Sequence, residues 1–172
     1  EGLIVCSGGE SGEVYGWALN GDVEKLQDAV QWYQQVFAED YYLELLRTAV
    51  HEDARSEQEK VNKMLIKVAK ENGVKLVGTN DVHYVAPEDL VAYNTQRCIA
   101  LGTTIEEYIQ NHPVLLRWLR SRKEMCELFA DVPEAVANTI EILTKVEIYD
   151  ICRTPGLHVF PVPNASGEDL SQ

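Results

Sequence analysis

The sequence is poor in basic residues. Its 172 residues include 15 Lys and Arg side chains against 28 Asp and Glu side chains, which gives a formal net charge of −13 at pH 7. A protein that binds a nucleic-acid backbone by itself needs clustered Lys and Arg side chains, because these neutralise the phosphates. The charge therefore argues against this chain binding DNA or RNA on its own.

Long apolar runs and paired cysteines are also missing. No apolar run approaches the roughly 18 to 20 residues that a helix needs to cross a bilayer, so no membrane contact is expected. The first fifteen residues lack the basic and apolar segments of a signal peptide. The four cysteines, Cys6, Cys98, Cys126 and Cys152, form no Cys-x-x-Cys pair of a structural zinc site. Scattered free thiols are typical of a reducing compartment, and we expect a cytoplasmic location.

The sequence does contain enough apolar material for a core. The hydrophobic fraction is 45%, and short apolar runs at 3–7, 41–46 and 74–77 predict three buried strands. Apolar residues at steps of three and four predict a helix from Val23 to Phe37 and a second helix that ends near Gly73. The order strand, helix, strand, helix, strand predicts βαβ crossovers and a parallel sheet, so the expected fold class is α/β.

Local signals predict where further helices begin. Capping boxes of the form Ser/Asp-x-x-Glu occur at 56–59, 121–124 and 131–134, and each predicts a helix start. Pro87 to Leu101 is a further predicted helix, which Gly102 ends.

Asp81 and His83 are the residues best suited to chemistry. They follow the third apolar run, and the sites of parallel α/β sheets and barrels lie at the carboxyl ends of the strands. In a strand, positions i and i+2 point to the same face, so the carboxylate and the imidazole would meet as ligands of Zn²⁺ or Mn²⁺. The simpler alternative, which the spacing alone favours, is an Asp that caps the next turn beside a half-exposed His.

The glycine-rich segment 7–13 follows the first apolar run. It is neither a Walker loop nor a dinucleotide-binding fingerprint. Its backbone amides offer an anion site, but Glu10 and Glu13 would repel a phosphate. A loop between a strand and a helix that needs positive φ at one or more glycines is the preferred explanation.

Two charged features outside this loop have a structural and a functional interpretation. Glu44 interrupts an apolar strand, and it either points inward as a supporting acid or faces outward toward an Arg such as Arg47; the structural role is preferred. The one basic cluster predicts a solvated helix start or, less favoured, a partner or phosphate contact. It consists of Arg117, Arg120, Arg122 and Lys123.

Several segments together resemble one family. They resemble the polymerase-and-histidinol-phosphatase (PHP) domain, and the stretch after it, of bacterial DNA polymerase III alpha subunits. The segments are GLIVCSGG at 2–9, GEV at 12–14, YLEL at 42–45, TNDVHY at 79–84, RKEMCELFADVPEAVANT at 122–139 and FPVP at 160–163. They occur in collinear order over nearly the whole chain.

The resemblance implies a fold and a set of ligands. The family's domain is a distorted (βα)7 barrel with divalent metals at the carboxyl ends of its strands, and this chain would supply roughly its last three βα units followed by helical segments. Asp81 and His83 match the final metal-ligand pair, with Zn or Mn as the metal. Gly9 stands where metal-binding members carry a Cys ligand, Tyr93 stands where many members have a His, and the sequence contains no His-x-His.

The resemblance also implies the organisation of the chain. Residues 1–105 would be the C-terminal part of the barrel, 106–150 a helical segment, and 151–172 an irregular linker toward the polymerase body. The start at Glu1, without Met and close to a strand, suggests a piece of a longer protein.

The function implied is that of a fragment of a replicative DNA polymerase, a nucleotidyltransferase. Its Mg²⁺-dependent palm would lie beyond residue 172, and it would reach DNA only through the rest of the alpha subunit. In some members the PHP domain is a metal-dependent 3′–5′ exonuclease. In others it is a non-catalytic scaffold that docks a separate proofreading exonuclease subunit. A stand-alone PHP-family phosphoesterase is the third alternative.

Overall fold

A three-stranded parallel sheet lies at the centre of the fold. In the computed structural model, which describes residues 2–112 and 114–147, the strands are β1 (Val5–Cys6), β2 (Tyr41–Leu46) and β3 (Lys75–Thr79). They lie in the order β1-β2-β3, with Val5 opposite Tyr41 and Tyr42 opposite Lys75. The predicted α/β class with a parallel sheet is confirmed, and closure of the sheet into a barrel remains a prediction. The predicted burial of the first strand is wrong: β1 has only two residues, Val5 is half-buried, Cys6 is exposed and Leu3 is 65% exposed, because β1 pairs with β2 alone among the described strands. The predicted linker 151–172 lies outside the described residues.

Helices connect and follow these strands. Those that the structure describes are α1 (Glu13–Leu19), α2 (Val23–Phe37), α3 (Glu52–Asn72), α4 (Leu90–Leu101), α5 (Ile105–Asn111), α6 (Arg122–Leu128) and α7 (Pro133–Lys145). Short 3₁₀ turns precede α1, β2 and α4, at Gly9–Ser11, Ala38–Asp40 and Pro87–Asp89. Within the described part of the chain, no helix has the length and apolarity needed to cross a membrane.

Two of the predicted helix starts are wrong. The first turn of α3 forms at Glu52, so Ser56 is an interior helical residue and caps nothing. The acidic residues of that earlier turn are favourably placed at a helix N-terminus, which accounts for the earlier start. At α7 the capping position is Val132, because Pro133 takes the first helical position and the Asp131 side chain bonds elsewhere.

The capping box of α6 is confirmed. The backbone N–H of Glu124 donates to the Ser121 hydroxyl oxygen over 3.3 Å, and the Ser121 N–H donates to the Glu124 carboxylate over 2.7 Å. The left-handed residue Gly73 after α3 is confirmed as well. These two local signals therefore hold, whereas those at Ser56 and Asp131 do not.

The central strand β2 is buried on both faces. Leu43 and Leu45 are fully buried in the core formed with the helices that precede and follow β2, and Tyr41 stacks on Tyr33 of α2 with ring centroids 5.1 Å apart. On the opposite face, Tyr42 and Leu46 are 0% and 2% exposed. Burial on both faces explains why this strand reads as an apolar run that only Glu44 interrupts.

Arg47 joins the end of β2 to the helices on either side. Its guanidinium bonds Glu59 of α3 over 2.8 Å and pairs with both oxygens of Asp131, in the turn before α7. Its side chain is only 12% exposed. A bidentate contact of this kind fixes the orientation of the two side chains in addition to pairing their charges. The hydrogen bond from Arg47 lowers the pKa of Asp131, and the same bond raises the pKa of Arg47 against the opposing effect of burial.

Polar contacts hold α7 against the sheet. The Asn138 side chain donates to the Leu76 carbonyl oxygen of β3 over 2.8 Å. The Glu141 carboxylate accepts hydrogen bonds from the Lys75 ammonium and from the Tyr42 hydroxyl, over 2.5 and 2.8 Å. These bonds, first that from Lys75 and then that from Tyr42, lower the pKa of Glu141 to about 2.

The glycine-rich loop after β1 is shaped by close contacts. Gly9 has a φ of +52°, and a Cβ atom there would lie 2.9 Å from Cδ1 of Leu46. Gly12 passes so near the backbone that a Cβ would lie 1.9 Å from the Ser7 carbonyl oxygen. The predicted need for positive φ in this loop is confirmed, and close packing is a second reason for its glycines.

The contacts of Glu141 predict a pH-dependent contribution to stability. Because its folded pKa is depressed, the carboxylate stabilises the fold above its ordinary pKa of about 4.5, and the contribution disappears as the pH falls toward 2. Glu141→Gln should therefore lower the free energy of unfolding at pH 7 and converge with the parent chain near pH 2. Urea unfolding followed by circular dichroism measures this. Glu127→Gln, at an exposed surface pair with Lys123, is the control and should change little.

The glycine loop yields a second prediction, with Gly21 as its matched control. Gly21 has a φ of +71° and open space around it, so Gly21→Ala introduces backbone strain alone, at a cost of about 1 kcal/mol. Gly9→Ala adds the contact with Leu46 and should cost at least about 1 kcal/mol more. The free energy of unfolding is measured with urea. An equal decrease for the two variants would show that the loop can move away from Leu46.

Candidate functional site

The candidate site is a polar cleft of about 400 Å³ at the carboxyl ends of the strands. The loop after β1, the end of β2, the residues after β3 and the 114–120 segment all contribute to it. We call it the acidic cleft, because Glu10, Glu44 and Asp81 belong to it. Its full lining is Gly8, Gly9, Glu10, Ser11, Glu44, Leu46, Thr79, Asp81, His83 and Arg117.

Asp81 and His83, the predicted metal-ligand pair, both lie in this cleft and contact each other. The Nε2 atom of His83 is 3.2 Å from Oδ1 of Asp81. The predicted reason, alternation along a strand, is wrong, because β3 ends at Thr79 and both residues lie in the loop beyond it. The backbone turns at Asp81, whose φ of +42° is left-handed, a conformation that Asp tolerates better than most residues. Local strain is thus located at a residue of the site.

Glu44 points into the cleft and does not contact Arg47. One carboxylate oxygen accepts a hydrogen bond from the Gly8 N–H over 2.9 Å, and the other accepts from the Thr79 hydroxyl over 3.0 Å. Of the two orientations considered for Glu44, the inward one is observed and the outward one toward Arg47 is not. Its role is structural nonetheless, because a single carboxylate on β2 joins the loop after β1 to the end of β3.

Arg117 is the site residue that the sequence reasoning missed. Its Nη2 atom lies 3.1 Å from Oε2 of Glu10 and 3.0 Å from Oδ2 of Asp81, and its side chain is 18% exposed. Glu10 and Arg117 are 107 positions apart, so no spacing rule pairs them. The one local signal is the position of this cation inside the otherwise apolar run 114–119.

Backbone hydrogen bonds hold the 114–120 segment in place, and with it the Cα atom of Arg117. The N–H of His83 donates to the Arg117 carbonyl oxygen over 2.8 Å, and the Arg117 N–H donates to the Tyr84 hydroxyl oxygen over 3.0 Å. Nearby, the Leu116 N–H donates to the Thr48 carbonyl oxygen over 2.8 Å. The segment therefore crosses the ends of both β2 and β3.

Arg120 also contacts the protein and is not part of a solvated helix start. Its Nε donates to the Asn80 amide oxygen over 2.9 Å, and its guanidinium carbon lies 3.8 Å from the centre of the Trp118 ring. Burial lowers the pKa of Arg120. The expectation of a solvated basic helix start is wrong for Arg117 and Arg120, since α6 begins only at Arg122.

A Zn or Mn ion at Asp81 and His83 needs donors that converge on one point. The two oxygens of Asp81 instead face His83 and Arg117, and those of Glu44 accept hydrogen bonds from the protein. In residues 2–112 and 114–147, no three His, Cys, Asp or Glu side chains are grouped so as to hold a metal ion. In this arrangement the donor set does not fit a divalent metal.

Two further positions singled out by the family resemblance lie in or beside the cleft. Gly9 leaves little room for the Cys side chain of metal-binding members, because its Cβ position is already crowded by Leu46. Tyr93 of α4 packs on the His83 ring, with centroids 5.3 Å apart. A side chain of the protein thus packs against each of these positions.

No protein-family model matches the chain. Individual proteins of known name do match it. The DNA polymerase III alpha subunit of Vibrio cholerae serotype O1 is 38% identical over 150 residues, which is 86% of this chain and 12% of the relative. The alpha subunit of Escherichia coli strain K12 is 34% identical over 171 residues, which is 98% of this chain and 14% of the relative. That of Pasteurella multocida is 34% identical over 173 residues, which is 99% of this chain and 14% of the relative.

The matches run over almost the whole chain and over a small share of each relative. This chain spans 12 to 14% of the length of these alpha subunits. The predicted resemblance is confirmed at this level, and the chain is homologous to one segment of the DNA polymerase III alpha subunits.

Proposed function

We propose that this chain is a segment of a replicative DNA polymerase alpha subunit and takes part in DNA replication through the rest of that subunit, in the bacterial cytoplasm. The observation that carries this is 34% identity over 98% of the chain to the E. coli alpha subunit. Nucleotidyl transfer, with its Mg²⁺, then belongs to residues outside this chain. Contact with DNA belongs there too, because a net charge of −13 opposes binding to phosphates.

Within that subunit, the chain would form part of a PHP-type βα barrel. Parallel strands in sequential order, with helices between them, support this proposal. Polar side chains gather at the carboxyl ends of the strands, as they do in βα barrels. Among the described strands β1 pairs with β2 alone, so its other edge offers a place for further strands.

The geometry favours a non-catalytic role for the acidic cleft, as part of a scaffold for the rest of the polymerase. The observation that carries this is the insertion of Arg117 between Glu10 and Asp81. A guanidinium in that position occupies a carboxylate oxygen that a metal-dependent hydrolase would use as a ligand. A cleft whose charges already have protein partners is suited to holding segments together.

The second candidate is a metal-dependent 3′–5′ exonuclease or phosphoesterase, with Zn²⁺ or Mn²⁺ held by Asp81 and His83. The contact between these two side chains inside one cleft favours it. It requires Arg117 to leave Asp81. A stand-alone phosphoesterase is the weaker form of this candidate, because the similarity to alpha subunits extends through almost the whole chain.

An apolar patch on α7 supports the scaffold proposal. Ile140 is 52% exposed, Leu143 is 67% exposed, and Val146 just after the helix is 57% exposed. Their spacing of three places them along one side of the helix, and such patches mark contact surfaces. We assign the patch to the remainder of the alpha subunit, because the matched segment is only 14% of the E. coli relative.

The metal content of the whole subunit separates the two roles of the cleft. In the scaffold proposal, Asp81→Asn/His83→Gln leaves the Zn and Mn content unchanged by elemental analysis, because arginine and not metal faces Asp81. Asp53→Asn/His112→Gln, at exposed positions, is the matched control. A loss of metal confined to the first double variant would establish the exonuclease or phosphoesterase candidate.

The α7 patch is tested by one double variant in two settings. Ile140→Ser/Leu143→Ser should change the stability of the 172-residue chain by less than about 0.5 kcal/mol, since both side chains are exposed there. In the whole subunit it should lower the unfolding temperature by at least about 2 °C, because the patch is then covered. An equally small effect in both settings contradicts docking at this surface. An effect seen only with a proofreading exonuclease subunit present assigns the patch to that partner.

A further inference from the structure

We infer that Arg117 is the resident cation of the acidic cleft and occupies the position in which a divalent metal ion would otherwise be held. The inference rests on the proposal that the cleft is non-catalytic, and it names the residue responsible. A single atom, Nη2 of Arg117, is approached by Oε2 of Glu10 and Oδ2 of Asp81, at 3.1 and 3.0 Å. Two carboxylates from distant parts of the chain thus converge on one positive centre.

The distances at this point are those of hydrogen bonds from a guanidinium to carboxylates. Hydrogen bonds from N–H to oxygen are about 2.7–3.2 Å long, whereas oxygen ligands of zinc lie at about 2.0–2.2 Å. The second oxygen of Asp81 faces His83, so both oxygens of this carboxylate are engaged. With Arg117 in place, a divalent ion would have to displace a guanidinium that fills the same position.

The surroundings of Arg117 show that the guanidinium is built into the cleft. Its backbone is hydrogen-bonded to His83 and Tyr84, so the side chain starts from a fixed point. Its Nε is buried and has no partner among the described residues. A buried donor without an acceptor is unfavourable, and it is tolerated where the other contacts of the same group outweigh it.

Removing Arg117 would leave the carboxylates of Glu10 and Asp81 facing each other without a counter-charge. Such a pair is destabilising, and an added cation that binds the folded form stabilises it by mass action. The structure therefore predicts that loss of the arginine converts an internal ion pair into a site for an external cation.

The test uses Arg117→Met in the 172-residue chain, with Mn²⁺ alone as the probe and electron paramagnetic resonance to measure free Mn²⁺. The wild-type chain should show no Asp81-dependent binding up to about 1 mM, and the variant should bind at least about tenfold more tightly. Mn²⁺ should also raise the lowered unfolding temperature of the variant. Both effects should disappear in Arg117→Met/Asp81→Asn.

Arg120→Met is the matched control. Arg120 lies in the same segment, but its partners are the Asn80 amide and the Trp118 ring. Its loss should lower stability without creating Mn²⁺ binding.

Two results would overturn the inference: Asp81-dependent Mn²⁺ binding by the wild type as tight as by Arg117→Met, or no binding by a folded Arg117→Met. If Arg117→Met does not fold, Mn²⁺ should restore folding, and failure to do so counts against the inference. The α7 double variant reports on docking alone, so failure of the scaffold proposal is distinguishable from failure of this inference.

Discussion

The burial of β2 on both faces is the constraint on which the rest of the structure depends. One face packs Tyr41, Leu43 and Leu45 in the helical core, and the other buries Tyr42 and Leu46. The neighbours of β2 therefore supply mainly apolar surface, and the buried Tyr41 hydroxyl has no hydrogen-bond partner among the described residues. The buried Tyr42 hydroxyl donates a hydrogen bond to the Glu141 carboxylate of α7. The position of a helix about a hundred residues away thus follows from the central strand.

At the carboxyl ends of the strands, two arginines are the charge partners of carboxylates. Arg47 binds carboxylates of α3 and of the turn before α7, and Arg117 binds Glu10 and Asp81 across the cleft. Each is largely shielded from solvent, so its ion pairs are screened less than those at the surface. Together they fasten the later part of the chain to the sheet. In a chain of net charge −13, these two cations are placed where carboxylates would otherwise repel each other.

Homology and geometry address different levels of function. Homology relates the chain to one segment of the DNA polymerase III alpha subunits, and the proposed part in DNA replication rests on that relation. Geometry concerns the chemistry of the cleft, where Asp81 and His83 meet but share their surroundings with Arg117. A ligand pair matched by sequence can thus be present and still face a protein cation. The scaffold proposal takes both observations into account.

Much of the fold could be predicted, because it depends on neighbouring residues. The sequence by itself determined where the three strands lie, the helix from Val23 to Phe37, the Ser121 cap and the α/β class, since periodicity and capping act over a few positions. It also pointed to Asp81 and His83. Only the tertiary structure decided that Asp131 leaves its predicted cap for Arg47, that Glu44 turns inward, and that Arg117 enters the cleft. Each of these contacts joins residues far apart in the chain, and charge pairing at that separation leaves no local pattern.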